Sequence, residues 1–288
     1  MISLNHSSRL SQLLLRSDIG RRSQRHFNTK HLHLKMAAGS PPMYTDAPLS
    51  VMHTPQFLTG KTDPFTVEAS KMALSHNAFI RGFNSIYQQA PRVSQTDKTD
   101  FVGYCTAWHD CIEAHHRYEE TDMFPNINKA AGKTGLMGDA VAEHELFHDG
   151  LARFKQYLQN KGAAYEATEL IEIMDSFKDP LHKHLSAEPA MIVALAEHST
   201  AEHPIDIETI SEKAATKEIG ISVLFNLMPV FFLNMNPAEF EDGMWDGVFP
   251  SFKGPAKMIM TRGIPMWRSR WWRFTSCSPE GKLKRLAV

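Results

Sequence analysis

The 288-residue chain has few cysteines and no long apolar run, and both absences limit its class. The three cysteines show no CxxC spacing, which argues against a disulfide framework and a structural zinc site and favours a reducing compartment. The best apolar run, residues 221–233, is interrupted by Asn226 and Pro229. It is shorter than the ~18 residues that a spanning helix needs, so we expect no membrane span.

The sequence also lacks a glycine-rich phosphate loop, a nucleophile elbow and an internal repeat. The net charge of the whole chain is only −1, but residues 1–35 carry seven basic residues and one acid. The remainder holds 24 basic and 31 acidic residues. Because nucleic-acid affinity comes mainly from neutralising phosphates, this acidic body predicts no nucleic-acid partner.

Residues 1–35 form a basic, serine-rich leader with three consecutive leucines, a composition typical of a mitochondrial transit peptide. A disordered basic tail and a true translation start at Met36 are two further interpretations that stay open. The expected location is therefore mitochondrial if the leader is a transit peptide, and cytoplasmic otherwise. Residues 36–63, which are rich in proline, are expected to form an extended approach segment.

Apolar residues at helical spacing predict four long helices, at about residues 64–90, 97–131, 136–160 and 164–197. Pro125 is expected to bend or end the second helix. No alternating strand pattern competes, and the connections are short. The predicted fold class is all-α, an antiparallel four-helix bundle over residues 64–197.

Residues 198–288 are expected to form a partly helical extension that packs on the bundle. A helix is expected near residues 206–219, and residues 221–233 are expected to lie across the bundle. Farther on, Trp267, Trp271 and Trp272 alternate with arginines. We favour an intramolecular strap for this segment over stacking on nucleic-acid bases or a membrane interface.

The fifteen histidines are the main candidates for metal ligands. Side chains four residues apart on a helix are neighbours and can bind one metal ion together. Three predicted helices contain such a pair, and the first helix adds one histidine. The candidates are His115 with Glu119, His144 with His148, His184 with Glu188, and the single His76.

A candidate pair is distinguished from a chance pair, such as His116 with Glu120, by whether it lies on the apolar stripe of its helix. His115 shares its stripe with Trp108 and other apolar residues, which predicts an inward direction. By contrast, the stripe of His116 is largely polar, so His116 is expected to face solvent, as is His182. The same reasoning places His144 and His148 on an apolar stripe.

The bundle interior would then hold five imidazoles and two carboxylates. Buried carboxylates without partners cost several kcal/mol each, and a metal centre removes that cost. Seven ligands are too many for one tetrahedral zinc, so two ions are expected. If Glu119 and Glu188 bridge the ions, the histidines divide three and two, which leaves one ion with an open position. Iron is the preferred metal, and zinc or manganese also suits this donor set.

These residues resemble the hemerythrin-like family, also called the HHE cation-binding domain. The resemblance covers about residues 64–196 and is carried by four motifs. In the family the ligand histidine of the second motif stands nine residues before Phe-Pro, which selects His115. Pro189 departs from the family, which often has a second acid there. The motifs are His76-Asn77, His115 to Glu120 with Phe124-Pro125, Glu143-His144-Glu145 with His148, and His184-Leu185 with Glu188.

The resemblance implies a non-haem di-iron centre that binds dioxygen or another small ligand, or that senses or stores oxygen or iron. The alternative is a di-iron oxidoreductase that activates dioxygen or peroxide, with Tyr118 and Asp122 as the nearby proton-transfer candidates. Histidine-rich ligation favours the binding protein, because ferritin-like oxidases use Glu-x-x-His spacing, whereas this chain has His-x-x-x-Glu. The oligomeric state stays open at this point.

Overall fold

Local sequence signals set the ends of the long helices. The computed structural model describes residues 40–217, 220–251 and 254–288. Asp63 caps the first long helix, with its carboxylate accepting from the Thr66 backbone N–H, and Pro64 takes the first helical position. The helices are α1 Pro55–Thr59, α2 Pro64–Gln89, α3 Lys98–Tyr118, α4 Phe124–Ala131, α5 Gly138–Lys161, α6 Ala167–Ala194, α7 Ile207–Lys217, α8 Ile221–Asn226, α9 Met228–Phe232, α10 Gly254–Met258 and α11 Ser269–Trp272.

The segment expected as one bent helix is α3 followed by α4, joined by a π-helical turn at Glu119–Met123. In this turn the Phe124 N–H donates to the carbonyl of Glu119, one residue farther back than in an α-helix. Pro125 lies in the first turn of α4 and has no backbone N–H. It therefore cannot donate the hydrogen bond of a regular α-helical turn to the preceding residues, which favours the wider π-helical turn. Such π-turns occur frequently at functional sites.

The four long helical segments pack as an antiparallel bundle. Helix α6 packs against both α2 and α5, and α3 packs against α5. Along the α2–α6 pair, His76 contacts Leu185 and Tyr87 contacts Asp175, so residue numbers rise on one helix as they fall on the other. The predicted all-α helical bundle is confirmed. Both internal prolines of α6 lie within one continuous helix.

Two apolar clusters fill the bundle, and a polar layer separates them. One cluster contains Phe83, Trp108, Phe154 and Phe177, and the other contains residues such as Ile192. On each of the four helical segments, the stretch between the two clusters carries histidine or glutamate. The packing therefore brings the polar residues of four helices to the same level.

The C-terminal residues and residues 40–63 pack on the bundle together. Arg81, buried in α2, donates to the carbonyl of Met235, and the Glu241 carboxylate accepts from the backbone of Thr54. The Trp/Arg segment lies on α3, where Arg270 pairs with Asp100 at 2.7 Å. Within the described residues, this segment therefore contacts the bundle of its own chain. The expected extended segment includes one short helix, α1.

The predictions for the N-terminal leader and for a membrane span have different outcomes. The basic leader, residues 1–35, and the alternative start at Met36 lie outside the described residues. Among the described helices, none combines the length and apolar character that crossing a membrane requires.

Gly150 permits the close approach of α5 and α6. A Cβ atom at this position would lie 2.4 Å from the Cβ atom of Phe177, which is buried in α6. We expect Gly150→Ala to lower the free energy of unfolding by about 1–3 kcal/mol in urea denaturation, because the helices must separate. Gly138→Ala on the same helix is the control, since its Cβ meets no atom within 4 Å. Equal stabilities of the two variants would contradict this close-packing account.

Candidate metal centre

Seven side chains of the polar layer converge in two groups that share one carboxylate. Within each group the potential ligand atoms all lie within 4.8 Å of one another. The three-histidine half consists of His116, His144, His184 and Glu119. The two-histidine half consists of His76, His115, Glu119 and Glu188.

The nitrogen atoms of the three-histidine half face a common point. The Nε2 atoms of His144 and His184 are 3.0 Å apart, and the His144 Nε2 atom lies 3.8 Å from a Glu119 oxygen. The ring of His116 lies with its centroid 4.3 Å from that of His144. Three imidazoles and one carboxylate are a donor set that suits a transition-metal ion.

The two-histidine half is equally compact. The Nε2 atoms of His76 and His115 are 3.0 Å apart, and that of His115 lies 3.0 Å from Glu119 Oε1. The Glu188 Oε2 atom is 3.3 Å from His76 Nε2 and 3.7 Å from His184 Nε2. Glu188 therefore lies close to both halves, and Glu119 belongs to both.

Hydrogen bonds to the outer ring nitrogens define how the imidazoles point. His76 Nδ1 lies 2.7 Å from the Leu185 carbonyl oxygen, which only accepts, so Nδ1 carries the proton. His144 Nδ1 lies 2.5 Å from Glu120 Oε1 and donates to this carboxylate in the same way. Each Nε2 atom then presents a lone pair to the centre, as metal-binding histidines do.

Burial shifts the pKa of each of the seven converging side chains towards the value that favours its neutral form. It lowers the pKa of His115 to about 3 and the pKa of His76 and His116 well below the usual value. Burial also raises the pKa of Glu119 and of Glu188 well above the ordinary carboxyl value. Without a counter-charge, the layer favours neutral imidazoles and protonated carboxyls.

The residues fit a pair of cations. Both carboxylate oxygens of Glu119 and of Glu188 and the Nε2 atom of His116 are buried and lack a hydrogen-bond partner within the described part of the chain. Such unsatisfied acceptors are costly in an apolar core, and a cation at each half would satisfy them. The shared Glu119 would supply a donor to both cations.

The structure brings together six of the seven predicted ligands. The seventh, His148, has a side chain that is 64% exposed and lies outside both groups, beside Asp149. His116, expected in solvent, is buried instead and takes part in the three-histidine half. The expected solvent direction of His116 is wrong, because the α3 face towards the interior is wide enough for two adjacent residues.

Two further acids, Glu120 and Glu143, lie behind the histidines. Glu120 contacts His144, and Glu143 Oε2 lies 3.5 Å from His184 Nδ1. Their only sequence signal is adjacency to a ligand, since Glu120 follows Glu119 and Glu143 precedes His144. Glu145, on the other side of His144 in the sequence, is exposed.

Metal uptake should be coupled to proton release in a defined direction. The lowered pKa values of the histidines favour their neutral form, and the raised pKa values of Glu119 and Glu188 favour the protonated form, so the two carboxyls are the groups expected to lose protons. We expect the apparent metal affinity to rise with pH and up to about two protons to leave per chain. Calorimetric titration in buffers of different ionisation enthalpy measures this release. Metal uptake with no proton release, or affinity falling as pH rises, would contradict it.

Comparisons with known proteins agree with this geometry. Residues 68–196 match the model of the Hemerythrin HHE cation binding domain. The chain is 30% identical over 247 residues to "Dimeric xanthone biosynthesis cluster protein R11" of Cryptosporiopsis sp. (strain 8999), covering 83% of this chain and 90% of that protein. It is also 27% identical over 129 residues to "Iron-sulfur cluster repair protein DnrN" of Neisseria gonorrhoeae, covering 41% and 82%.

No solved structure matches the chain. The match to the domain covers all four helical segments that supply the two His/Glu groups. The long alignment with the relative from Cryptosporiopsis sp. extends the similarity over most of that protein. The chain belongs to the hemerythrin family of HHE cation-binding domain proteins.

Proposed function

We propose that this chain is a non-haem di-iron protein that binds dioxygen or another small ligand at the two-histidine half. The observation that carries the proposal is the unequal division of nitrogen donors between two groups that share Glu119. The three-histidine half has one nitrogen donor more than the other. If both carboxylates bridge, the two-histidine ion keeps an open position for a ligand.

Iron suits the mixture of imidazole and carboxylate donors. When bound, a pair of iron ions supplies a redox-active site for a small ligand. The relative from Neisseria gonorrhoeae carries iron–sulfur cluster repair in its name, which supports a connection with iron. Zinc or manganese would satisfy the same donors, so metal identity is part of the test.

Aromatic side chains line the two-histidine half and limit its contact with water. The ring of Phe79 lies with its centroid 4.9 Å from that of His115. Tyr118, half-buried, meets His115 edge-on at 5.1 Å. The apolar ring of Phe79 restricts proton access to a bound ligand from its side, which favours reversible binding over further reaction.

The direct test is metal analysis of purified protein combined with absorption spectra. We expect about two irons per chain, on the donor count above. We also expect a visible band that appears when oxygen is added to the reduced protein and disappears under vacuum. Protein that binds no iron after anaerobic loading, while zinc binds stoichiometrically, would overturn the iron proposal.

A di-iron oxidoreductase is the second candidate, and Tyr118 favours it. Burial raises the pKa of this phenol well above its usual value, so its hydroxyl carries a proton beside the centre. The relative named for a xanthone biosynthesis cluster is also consistent with an enzyme. A spectrum that does not return under vacuum, together with catalytic consumption of an added substrate, would favour this candidate.

A further inference from the structure

The two halves differ in what lies behind their histidines. In the three-histidine half, Glu120 Oε1 lies 2.5 Å from His144 Nδ1 and Glu143 Oε2 lies 3.5 Å from His184 Nδ1. In the two-histidine half, His76 is backed by the neutral carbonyl of Leu185. Two carboxylates therefore adjoin one half, and a backbone carbonyl adjoins the other.

We propose that Glu120 and Glu143 are positioning residues that make the three-histidine half the tighter and more electron-rich of the two metal positions. The inference rests on the proposed metal centre and deepens it. Glu120 accepts the Nδ1 proton of His144, which fixes the ring and raises the donor strength of its Nε2 atom. Glu143 Oε2 faces His184 Nδ1 at 3.5 Å without a hydrogen bond, so Glu143 acts on His184 through its negative charge. A neutral carbonyl fixes the ring but adds less electron density.

The π-helical turn explains how two consecutive acids serve different roles. Glu119 is fully buried and shared by both halves, whereas the side chain of the next residue, Glu120, is 42% exposed. Glu120 lies outside the ligand group and reaches the outer nitrogen of His144 on α5. The turn thus ties a ligand and a positioning residue to one short segment of backbone.

The two carboxylate oxygens of Glu143 face two neighbouring residues of α6. Its Oε1 atom pairs with the Lys183 ammonium at 2.8 Å, while its Oε2 atom faces His184. Lys183 and His184 are neighbours on α6, and Glu143 lies on α5 beside His144. This arrangement spans the two helices next to the three-histidine half, and the side chain of Glu143 is only 13% exposed.

Glutamine and alanine variants separate the two contributions of each acid. Glutamine removes the charge of either acid but keeps an oxygen, which at position 120 still accepts from His144 Nδ1, whereas alanine removes both the charge and the oxygen. Glu145→Gln is the matched control, because Glu145 is an exposed acid on the same helix. The measurements are anaerobic Fe(II) titration against a competing chelator and the midpoint potential of the loaded protein.

We expect Glu120→Ala and Glu143→Ala to weaken one of the two iron sites by about 10–100-fold, leaving the other unchanged. Glu120→Gln and Glu143→Gln should raise the midpoint potential with a smaller loss of affinity, and Glu145→Gln should behave as the unmodified protein. The glutamine variants are nearly isosteric, so they test the inference even if an alanine variant fails to fold. Unmodified affinity and potential in both glutamine variants would overturn it, whereas failure of the unmodified protein to bind iron would overturn the proposed function instead.

Discussion

Glu119→Gln should abolish stoichiometric binding of both metal ions, the largest loss expected from any single substitution. Glu119 is the one residue common to both ligand groups of the described chain, so its loss removes an anionic donor from each. A neutral amide is a poor substitute for a bridging carboxylate. Metal analysis after anaerobic loading and desalting should fall from about two ions per chain to fewer than about one.

The stability of the metal-free protein distinguishes this loss from unfolding. Both oxygens of Glu119 are buried without hydrogen-bond partners among the described residues, so the carboxyl destabilises the empty site. Metal-free Glu119→Gln should therefore unfold in urea at the same or a higher midpoint than the metal-free parent.

His76→Ala is the matched stoichiometric control for Glu119→Gln. His76 belongs only to the two-histidine half, so this variant should lose one ion and keep the other. If Glu119→Gln retained two ions, or if His76→Ala lost both, the shared-carboxylate geometry would be wrong.

Much of the fold was predictable because its signals are local. Capping residues and glycines mark the helix ends, and apolar residues recur at helical spacing along each segment. Asp63 and Gly132 illustrate this: one caps the start of α2, and the other ends α4 in a left-handed conformation. The level at which His76 and His184 meet was predictable too, because each is flanked by apolar stripes on its own helix.

The expected solvent direction of His116 was wrong because it assumed a single apolar stripe on α3. A single stripe is sufficient only for a helix that packs against one neighbouring helix. Helix α3 has two, α2 and α5, on different sides. His115 points to α2, where its Nε2 atom meets His76, and His116 points towards α5, with its ring 5.1 Å from that of Phe147. Adjacent residues differ by about 100° on a helix, and the interior angle includes both directions.

The assignment of His148 failed for the opposite reason. Spacing of four residues places His148 close to the direction of His144, but the buried positions of α5 continue through Phe147 and Leu151. A stripe drawn through those residues leaves His148 on the flank. Sequence alone gave no way to choose between the two stripes, since each contains several apolar residues. The positions of Glu120 and Glu143 depend on the π-turn and on α6, which are tertiary features.

His116→Ala should lose the ion of the three-histidine half, whereas His148→Ala should retain both ions. His116 supplies one of three nitrogen donors there, and its Nε2 atom has no other partner within the described residues. His148 is exposed on the flank of α5 and contributes no atom to either group. Iron content after anaerobic loading measures the difference directly.

A buried histidine outside the site controls for the cavity that His116→Ala creates. His109 is 2% exposed, lies on the same helix and stacks on Phe154, away from both ligand groups. His109→Ala should lower stability through lost packing and still bind two ions. If His109→Ala lost metal as His116→Ala does, the metal loss would reflect loosening of α3. If His148→Ala lost an ion and His116→Ala kept both, the side chains that converge in this fold would not be the ones that hold the metal.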